Sequence, residues 1–226
     1  MKTTFISYCY SKIINAFFQD NQIIKYLPLG TNDVASIRTT NPIPSSVNVF
    51  YYEIKIVNGG HTFSDNVKDA IGIGFSAKNV PLDRMPGWNS KSIGYHGDDG
   101  GLFYESGYAF KKCGPTFTTG DVVGCGINQS ENSCFFTKNG DYLGKIFHEL
   151  PSQLYPMVGF HSKNGLIETN FGQDCFAFDI ENFRKNPREL RFVNFMLSYL
   201  NQKHDQQPIV KFVLFIFTIF FSCITI

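Results

Sequence analysis

Two short apolar runs, Cys134-Phe135-Phe136-Thr137-Lys138 and Tyr142-Leu143-Gly144-Lys145-Ile146, flank Asn139-Gly140-Asp141. Asn-Gly accepts the positive φ angles of a tight turn whose twist matches paired strands, so these runs are predicted to close an antiparallel hairpin. A lone hairpin is marginal in water and has to bury one face against further elements. The neighbouring sequence supplies strands. Phe50 to Val57 alternates, with Tyr52, Ile54 and Ile56 on one side and Tyr51, Glu53 and Lys55 on the other. That period marks a half-buried strand, which Asn58-Gly59-Gly60 ends. Ala70 to Phe75, Asp121 to Asn128, Tyr155 to Phe160 and Leu166 to Phe171 read as further strands, the last two around Ser162-Lys163-Asn164-Gly165. Short strands at near-regular spacing, with Gly and Asn at the breaks, indicate a sandwich or barrel. No long amphipathic helical pattern interrupts Phe50 to Phe171. A parallel α/β fold needs crossover helices and is excluded. The abundance of rings, 24 Phe and 11 Tyr, fits an all-β chain, because aromatics suit a pleated surface.

The flanks are weaker. Phe17, Phe18, Ile23 and Ile24 are expected to form a lead-in strand around Gln19 to Gln22, and a loop follows at Pro28, Gly30, Asn32 and Asp33. Pro42 and Pro44 make a second break, and Asp65 to Lys68 a polar loop. Beyond Phe183 the chain is charged, and Phe192, Phe195, Met196 and Tyr199 recur at helical spacing, which predicts a short amphipathic helix ending at Asp205-Gln206-Gln207-Pro208. Ile209 to Ile226 is apolar apart from Lys211. A spanning helix takes about 20 residues, with a lower limit of roughly 17. Lys203, His204 and Lys211 lie on the domain side, as positive charge on the cytosolic side requires. A tail anchor and a truncated end are both open readings of this run.

Several chemistries are disfavoured. A net charge of +1 gives no pull towards nucleic acid. The six cysteines, Cys9, Cys113, Cys125, Cys134, Cys175 and Cys223, include no C-x-x-C pair, and Met1 to Phe18 has no long apolar core of a signal sequence. Free thiols and a cytoplasmic protein, with the nucleus as a further compartment, are expected. Asn128-Gln129-Ser130 is then an unused glycosylation sequon. Gly72-Ile73-Gly74-Phe75-Ser76-Ala77 matches a dinucleotide fingerprint, but Asn79, Pro81 and Pro86 follow where a helix has to start. His96-Gly97-Asp98-Asp99-Gly100-Gly101 groups a His with two carboxylates, yet adjacent Asp residues in a Gly-rich turn usually cap it. It is expected to be a hairpin loop on a binding face, with a metal as the lesser reading. No nucleophile motif or converging set of titratable residues is visible, so an enzyme ranks last and neither metal nor cofactor is expected.

Six stretches read as a set: Met85-Pro86-Gly87-Trp88; Gly94-Tyr95-His96-Gly97-Asp98-Asp99-Gly100; Gly114-Pro115-Thr116-Phe117-Thr118-Thr119-Gly120-Asp121-Val122-Val123-Gly124-Cys125; Phe136-Thr137-Lys138-Asn139-Gly140; Leu154-Tyr155-Pro156-Met157-Val158-Gly159; and Asn170-Phe171-Gly172-Gln173. In this order they resemble the SPRY (B30.2-like) domain of the Ran-binding protein M family, whose start Ala35 to Pro44 also resembles. The resemblance covers residues 17–183, between a lead-in at 1–16, a short helical extension at 184–207 and the apolar tail at 208–226. It implies a bent sandwich of two antiparallel sheets. It also implies a scaffold or substrate-adaptor subunit of a CTLH (GID)-type ubiquitin ligase, with protein or peptide ligands and ligase subunits as partners. The LisH and CTLH helical modules of that family are not recognisable here. A membrane-tethered adaptor outside a ligase, attached through residues 209–226, is the alternative. By similarity, Arg38, Trp88, Tyr95, Phe103, Tyr104 and His161 fall in or beside ligand-binding loops, with His96 in the Gly-Asp-Asp turn. Trp, Tyr and Arg are common hot-spot residues. Core or loop packing remains the alternative for Trp88 and Tyr95, and a carboxylate partner inside the loop shell for Arg38.

Overall fold

The structure, a computed structural model, describes residues 23–27, 34–61, 70–147 and 150–185. The chain divides into two compact units, residues 1–180 and 181–226. The predicted lead-in at Phe17 and Phe18, the helix about Phe192 to Tyr199, the apolar tail, Cys9 and Cys223 lie outside the described residues, as do the loops at Pro28 to Asp33 and Asp65 to Lys68. Among its described residues the first unit holds twelve strands: β1 (Ile23–Lys25), β2 (Ala35–Arg38), β3 (Val49–Asn58), β4 (Ile71–Ser76), β5 (Ser92–His96), β6 (Gly101–Tyr104), β7 (Lys111–Lys112), β8 (Val122–Asn128), β9 (Ser133–Lys138), β10 (Asp141–Phe147), β11 (Tyr155–Phe160) and β12 (Leu166–Asn170). They form two six-stranded sheets, in the orders β1-β12-β3-β8-β9-β10 and β2-β11-β4-β5-β6-β7. Every recorded strand pair is antiparallel. The fold is the expected all-β sandwich.

The Asn139-Gly140 turn sits where the sequence places it. Asn139 and Gly140 have φ of 51° and 87°, and Asp141 pairs with Lys138. The Asn139 side chain accepts from the Val122 amide at 2.8 Å and donates to Asp121 at 2.7 Å, which ties the hairpin to the start of β8.

Alternation decides what each sheet turns inward. Tyr52, Ile54 and Ile56 of β3 join Val123, Cys125, Phe136 and Ile167 from the same sheet. They meet Ile71, Ile73, Phe75, Tyr95, Val158 and Phe160 of the other. A buried ring removes on the order of 150 Å² or more from water, worth about 4 kcal/mol gross at 25 cal/mol per Å². Tyr52 also bridges the sheets. Its hydroxyl proton is shared between the carbonyls of Gly74 at 2.7 Å and Met157 at 3.1 Å, and burial raises its pKa far above the ordinary phenol value.

Neither outer face of the sandwich is bare. On the first sheet Tyr51 and Glu53 are both 3% exposed, although alternation turns them away from the core. A later segment, residues 174–178, lies over them and brings Phe176 and Phe178 against Tyr51. β3 is therefore buried on both sides along this stretch, where a half-buried strand is predicted. The last described residues form a short helix, α1 (Ile180–Lys185), which carries a Glu181–Arg184 ion pair at 2.5 Å.

Candidate partner-binding face

The outer face of the second sheet is built from small residues. Gly72 and Gly74 come from β4, Gly94 from β5, Gly159 from β11 and Ser36 from β2. The connection from β4 to β5, residues 77–91, is laid on this floor. Leu82 and Arg84 carbonyls accept from the backbone and hydroxyl of Ser36, both at 2.6 Å. A Cβ on Gly94 would lie 2.2 Å from the Pro86 carbonyl oxygen, and one on Gly159 would lie 2.5 Å from Pro86 Cδ. Gly72 lies under His96 and Met85. Of the apparent dinucleotide fingerprint, Gly72 thus receives a ring and a loop side chain and Gly74 the backbone of β5, rather than a pyrophosphate.

Trp88 stands on this loop. Its half-buried ring lies 6.2 Å from His96 and 6.2 Å, edge-on, from His161. His96 in turn stacks on Phe103 with centroids 3.9 Å apart. The Pro86 carbonyl can only accept, so His96 Nε2, 2.8 Å away, carries the proton. Burial lowers the His96 pKa to about 4, against a weaker opposing effect of that hydrogen bond, so the imidazole is neutral at physiological pH. Burial lowers the pKa of His161 as well. The Trp88 Nε1–H is buried and has no hydrogen-bond partner among the described residues.

Arg38 closes the other end of the loop. Its Nη1 donates to the carbonyls of Ala77 at 2.9 Å and Val80 at 3.0 Å, and the guanidinium lies 5.7 Å over the Tyr155 ring. Its partners are thus two carbonyls and a ring, where a carboxylate was the alternative. Burial lowers its pKa somewhat, and a guanidinium remains charged throughout.

The structure brings Trp88, His96, Phe103 and His161 into one cluster and puts Arg38 at the base of the same loop. It separates Tyr95 and Tyr104, which alternation turns to the opposite side of the sheet. Tyr95 has no exposed surface; it packs on Phe117 and Phe136 and donates to the Pro115 carbonyl. Tyr104 packs against the core and is partly exposed. The Gly-Asp-Asp turn is self-capped, with Asp99 accepting from the Gly101 amide at 2.6 Å. Burial, and then the neighbouring Asp99, raises the pKa of Asp98. Among the described residues no three His, Cys, Asp or Glu side chains are grouped to hold a metal ion. Cys113, Cys125, Cys134 and Cys175 are free thiols.

Two residues with the character of binding groups escaped the sequence reading. Tyr108 is 85% exposed and Phe110 63% exposed, on the connection from β6 to β7. The signal for them is two rings set among Glu105-Ser106-Gly107 and Lys111-Lys112, where no apolar alternation gives them a core to enter.

Residues 49–174 match the SPRY domain family model. Ran-binding protein 10 of Danio rerio is 47% identical over 167 residues, which is 73% of this chain and 26% of that protein. Ran-binding protein 9 of Homo sapiens is 45% identical over 172 residues, 75% of this chain and 23% of that protein. The Ran-binding protein M homolog of Arabidopsis thaliana is 38% identical over 171 residues, 75% and 35% respectively. The chain therefore spans roughly a quarter to a third of the length of these relatives. Among solved structures, a human SPRY domain superposes with a TM-score of 0.60 at 28% identity, covering 69% of this chain and 95% of that one. The SPRY domain of human HERC1 superposes at 0.54 with 17% identity, covering 73% and 94%, and speaks for the fold alone.

Proposed function

The chain belongs to the SPRY domain family, whose members are protein-interaction modules, and from that premise we propose that it is a scaffold or substrate-adaptor subunit of a CTLH (GID)-type ubiquitin ligase. In this reading the partner docks on the loop of residues 77–91 and its surroundings. One observation carries the proposal. Trp88 and His161 stand half-buried and edge to face on a floor of glycines against which the loop backbone is already packed. A ring held this way loses little freedom on binding and still offers area, which is the character of a hot spot. His96 and Phe103 support the ring from below, and Arg38 fixes the loop's base. Tyr95 and Tyr104 then act from the far side of the sheet by holding strands in place.

The test is direct binding of the purified full chain to subunits of a CTLH-type ligase, with Ran, for which the relatives are named, in the same assay. Trp88→Ala and His161→Ala are expected to weaken a true partner by about 2 kcal/mol at the hot spot, with the thermal midpoint little changed. Unchanged affinity in both variants places the partner on another face. No binding to any ligase subunit removes the ligase assignment and leaves the interaction module. A cytoplasmic location goes with this proposal. Membrane tethering through Ile209 to Ile226 is a separate one, prompted by the apolar run; it expects the full chain to resist carbonate extraction and a chain ending at Gln207 not to.

A further inference from the structure

We propose that the β6–β7 connection is a second docking surface, built for an acidic peptide segment carrying apolar side chains. Among the described residues three large hydrophobic side chains are exposed, Val57 at 41%, Tyr108 at 85% and Phe110 at 63%. Two of the three lie two residues apart on this one loop. Isolated surface apolar residues need no explanation, whereas two largely exposed rings two residues apart have the character of an interaction site.

The loop is held at several points. The Phe110 amide donates to the Leu102 carbonyl at 2.7 Å, and the Ser106 amide to the Gly87 carbonyl at 2.9 Å. The Tyr108 amide donates to Ser106 Oγ at 3.1 Å. Glu105, at φ 51°, spends its carboxylate on the Lys91 amide at 2.7 Å. The rings are thus presented from a tied backbone, which limits the ordering cost of binding. Charge selects the occupant. Lys111 and Lys112 follow Phe110, both exposed, on β7 at the edge of the second sheet. The carboxylates of Glu105 and of Asp99, which lies beside Ala109, accept from the Lys91 and Gly101 amides, and neither lysine is ion-paired among the described residues. Rings beside cations fit a segment that alternates carboxylates with apolar groups. An anionic membrane is the poorer match, since membrane-binding basic clusters carry roughly four to eight Lys or Arg. The surface adjoins the Trp88 loop through the Ser106–Gly87 bond but uses none of that face's side chains, so it stands or falls separately.

The experiment titrates the isotope-labelled full chain with three probes. They are a synthetic peptide of Asp and Glu interspersed with Leu and Phe, the same peptide with Lys for every acid, and phosphatidylcholine vesicles containing phosphatidylserine. The acidic peptide is expected to bind saturably and to shift the amides of residues 105–112, with weaker binding as salt rises. Tyr108→Ser with Phe110→Ser, and separately Lys111→Glu with Lys112→Glu, are each expected to weaken it by about tenfold or more. Both pairs are exposed, and an unchanged thermal midpoint verifies folding. No saturable binding at millimolar acidic peptide overturns the proposal. So do equal binding of the lysine peptide, shifts that map to Trp88 and His161 instead, or binding of the vesicles alone.

Discussion

Gly94 shows how much a single missing Cβ carries in this domain. A methyl group there would sit 2.2 Å from the Pro86 carbonyl oxygen and 2.7 Å from the Pro86 carbonyl carbon. Both are backbone atoms, so relief requires moving the loop that bears Trp88. Gly94→Ala is expected to destabilise the domain by about 2 kcal/mol, in the range of overpacked cores, and to lower its thermal midpoint by roughly 4–8 °C. Calorimetry reads the cost, and the Trp88 fluorescence spectrum reads the loop. The sequence shows that glycines recur at Gly72, Gly74, Gly94 and Gly159 but not what approaches them, because Pro86 comes from a loop outside their strands. Tyr95 and His96 show the opposite case. They are neighbours in sequence, and both stand in the expected binding set. Ile93 and Tyr95 alternate with Ser92, Gly94 and His96, so the sequence itself points Tyr95 to the core and His96 away from it, a signal the resemblance-based assignment passed over.

At the scale of the element, the outer face of the first sheet is closed by a strap that returns from far along the chain. Glu53 holds it. One carboxylate oxygen accepts from the Phe178 amide at 3.0 Å and from the Tyr51 hydroxyl at 2.7 Å, and the other accepts from the Ala177 amide at 3.0 Å. Since Tyr51 gives its proton to Glu53, the Thr137 hydroxyl donates to Tyr51, at 2.7 Å. Tyr51 stacks on Phe135 and meets Phe176 edge-on, so the carboxylate lies within an aromatic layer. Hydrogen bonds to a charged group contribute about 1.5–3 kcal/mol each. Glu53→Ala is expected to cost roughly 3 kcal/mol or more, since it orphans two amides and a phenol; Glu53→Gln keeps an acceptor and is expected to cost less. Urea unfolding measures both, and hydrogen exchange at Phe178 is expected to quicken most in the Ala variant. The alternation of β3 correctly sets Glu53 opposite Ile54. Nothing near Glu53 announces a strap that comes from more than 120 residues later. The β9–β10 hairpin is the contrasting case, legible in full because its whole determinant is the local pair Asn139-Gly140.

For the molecule as a whole, eight of the twelve described strands were readable in order along the chain, β2, β5, β6 and β7 were not, and their assembly into two sheets came through resemblance rather than pattern. The candidate face was readable only as a set of residue types. One property of the whole domain follows from its centre. His96 is held neutral in the fold with a pKa of about 4, while an unfolded chain leaves it at its ordinary 6.5. Between those values the unfolded state binds more protons, so stability rises with pH across that window. The contribution is complete above 6.5 and is lost as pH falls towards 4, a change of about 3 kcal/mol. His161, also lowered by burial, acts in the same sense. Asp98, raised by burial, acts in the opposite sense, since protonating it relieves a cost present at neutral pH. Urea unfolding at a series of pH values between 4 and neutral is expected to show stability falling steadily on acidification. His96→Gln, which retains a side-chain N–H donor and removes the titration, is expected to flatten that slope while lowering stability at neutral pH. A slope of unchanged steepness in the variant means that His96 is protonated or exposed in the native state. Protonation would place a charge at Nδ1 of this buried ring while Nε2 keeps donating to the Pro86 carbonyl, so affinity for a partner on that face is expected to fall only as far as the fold itself is lost over the same window.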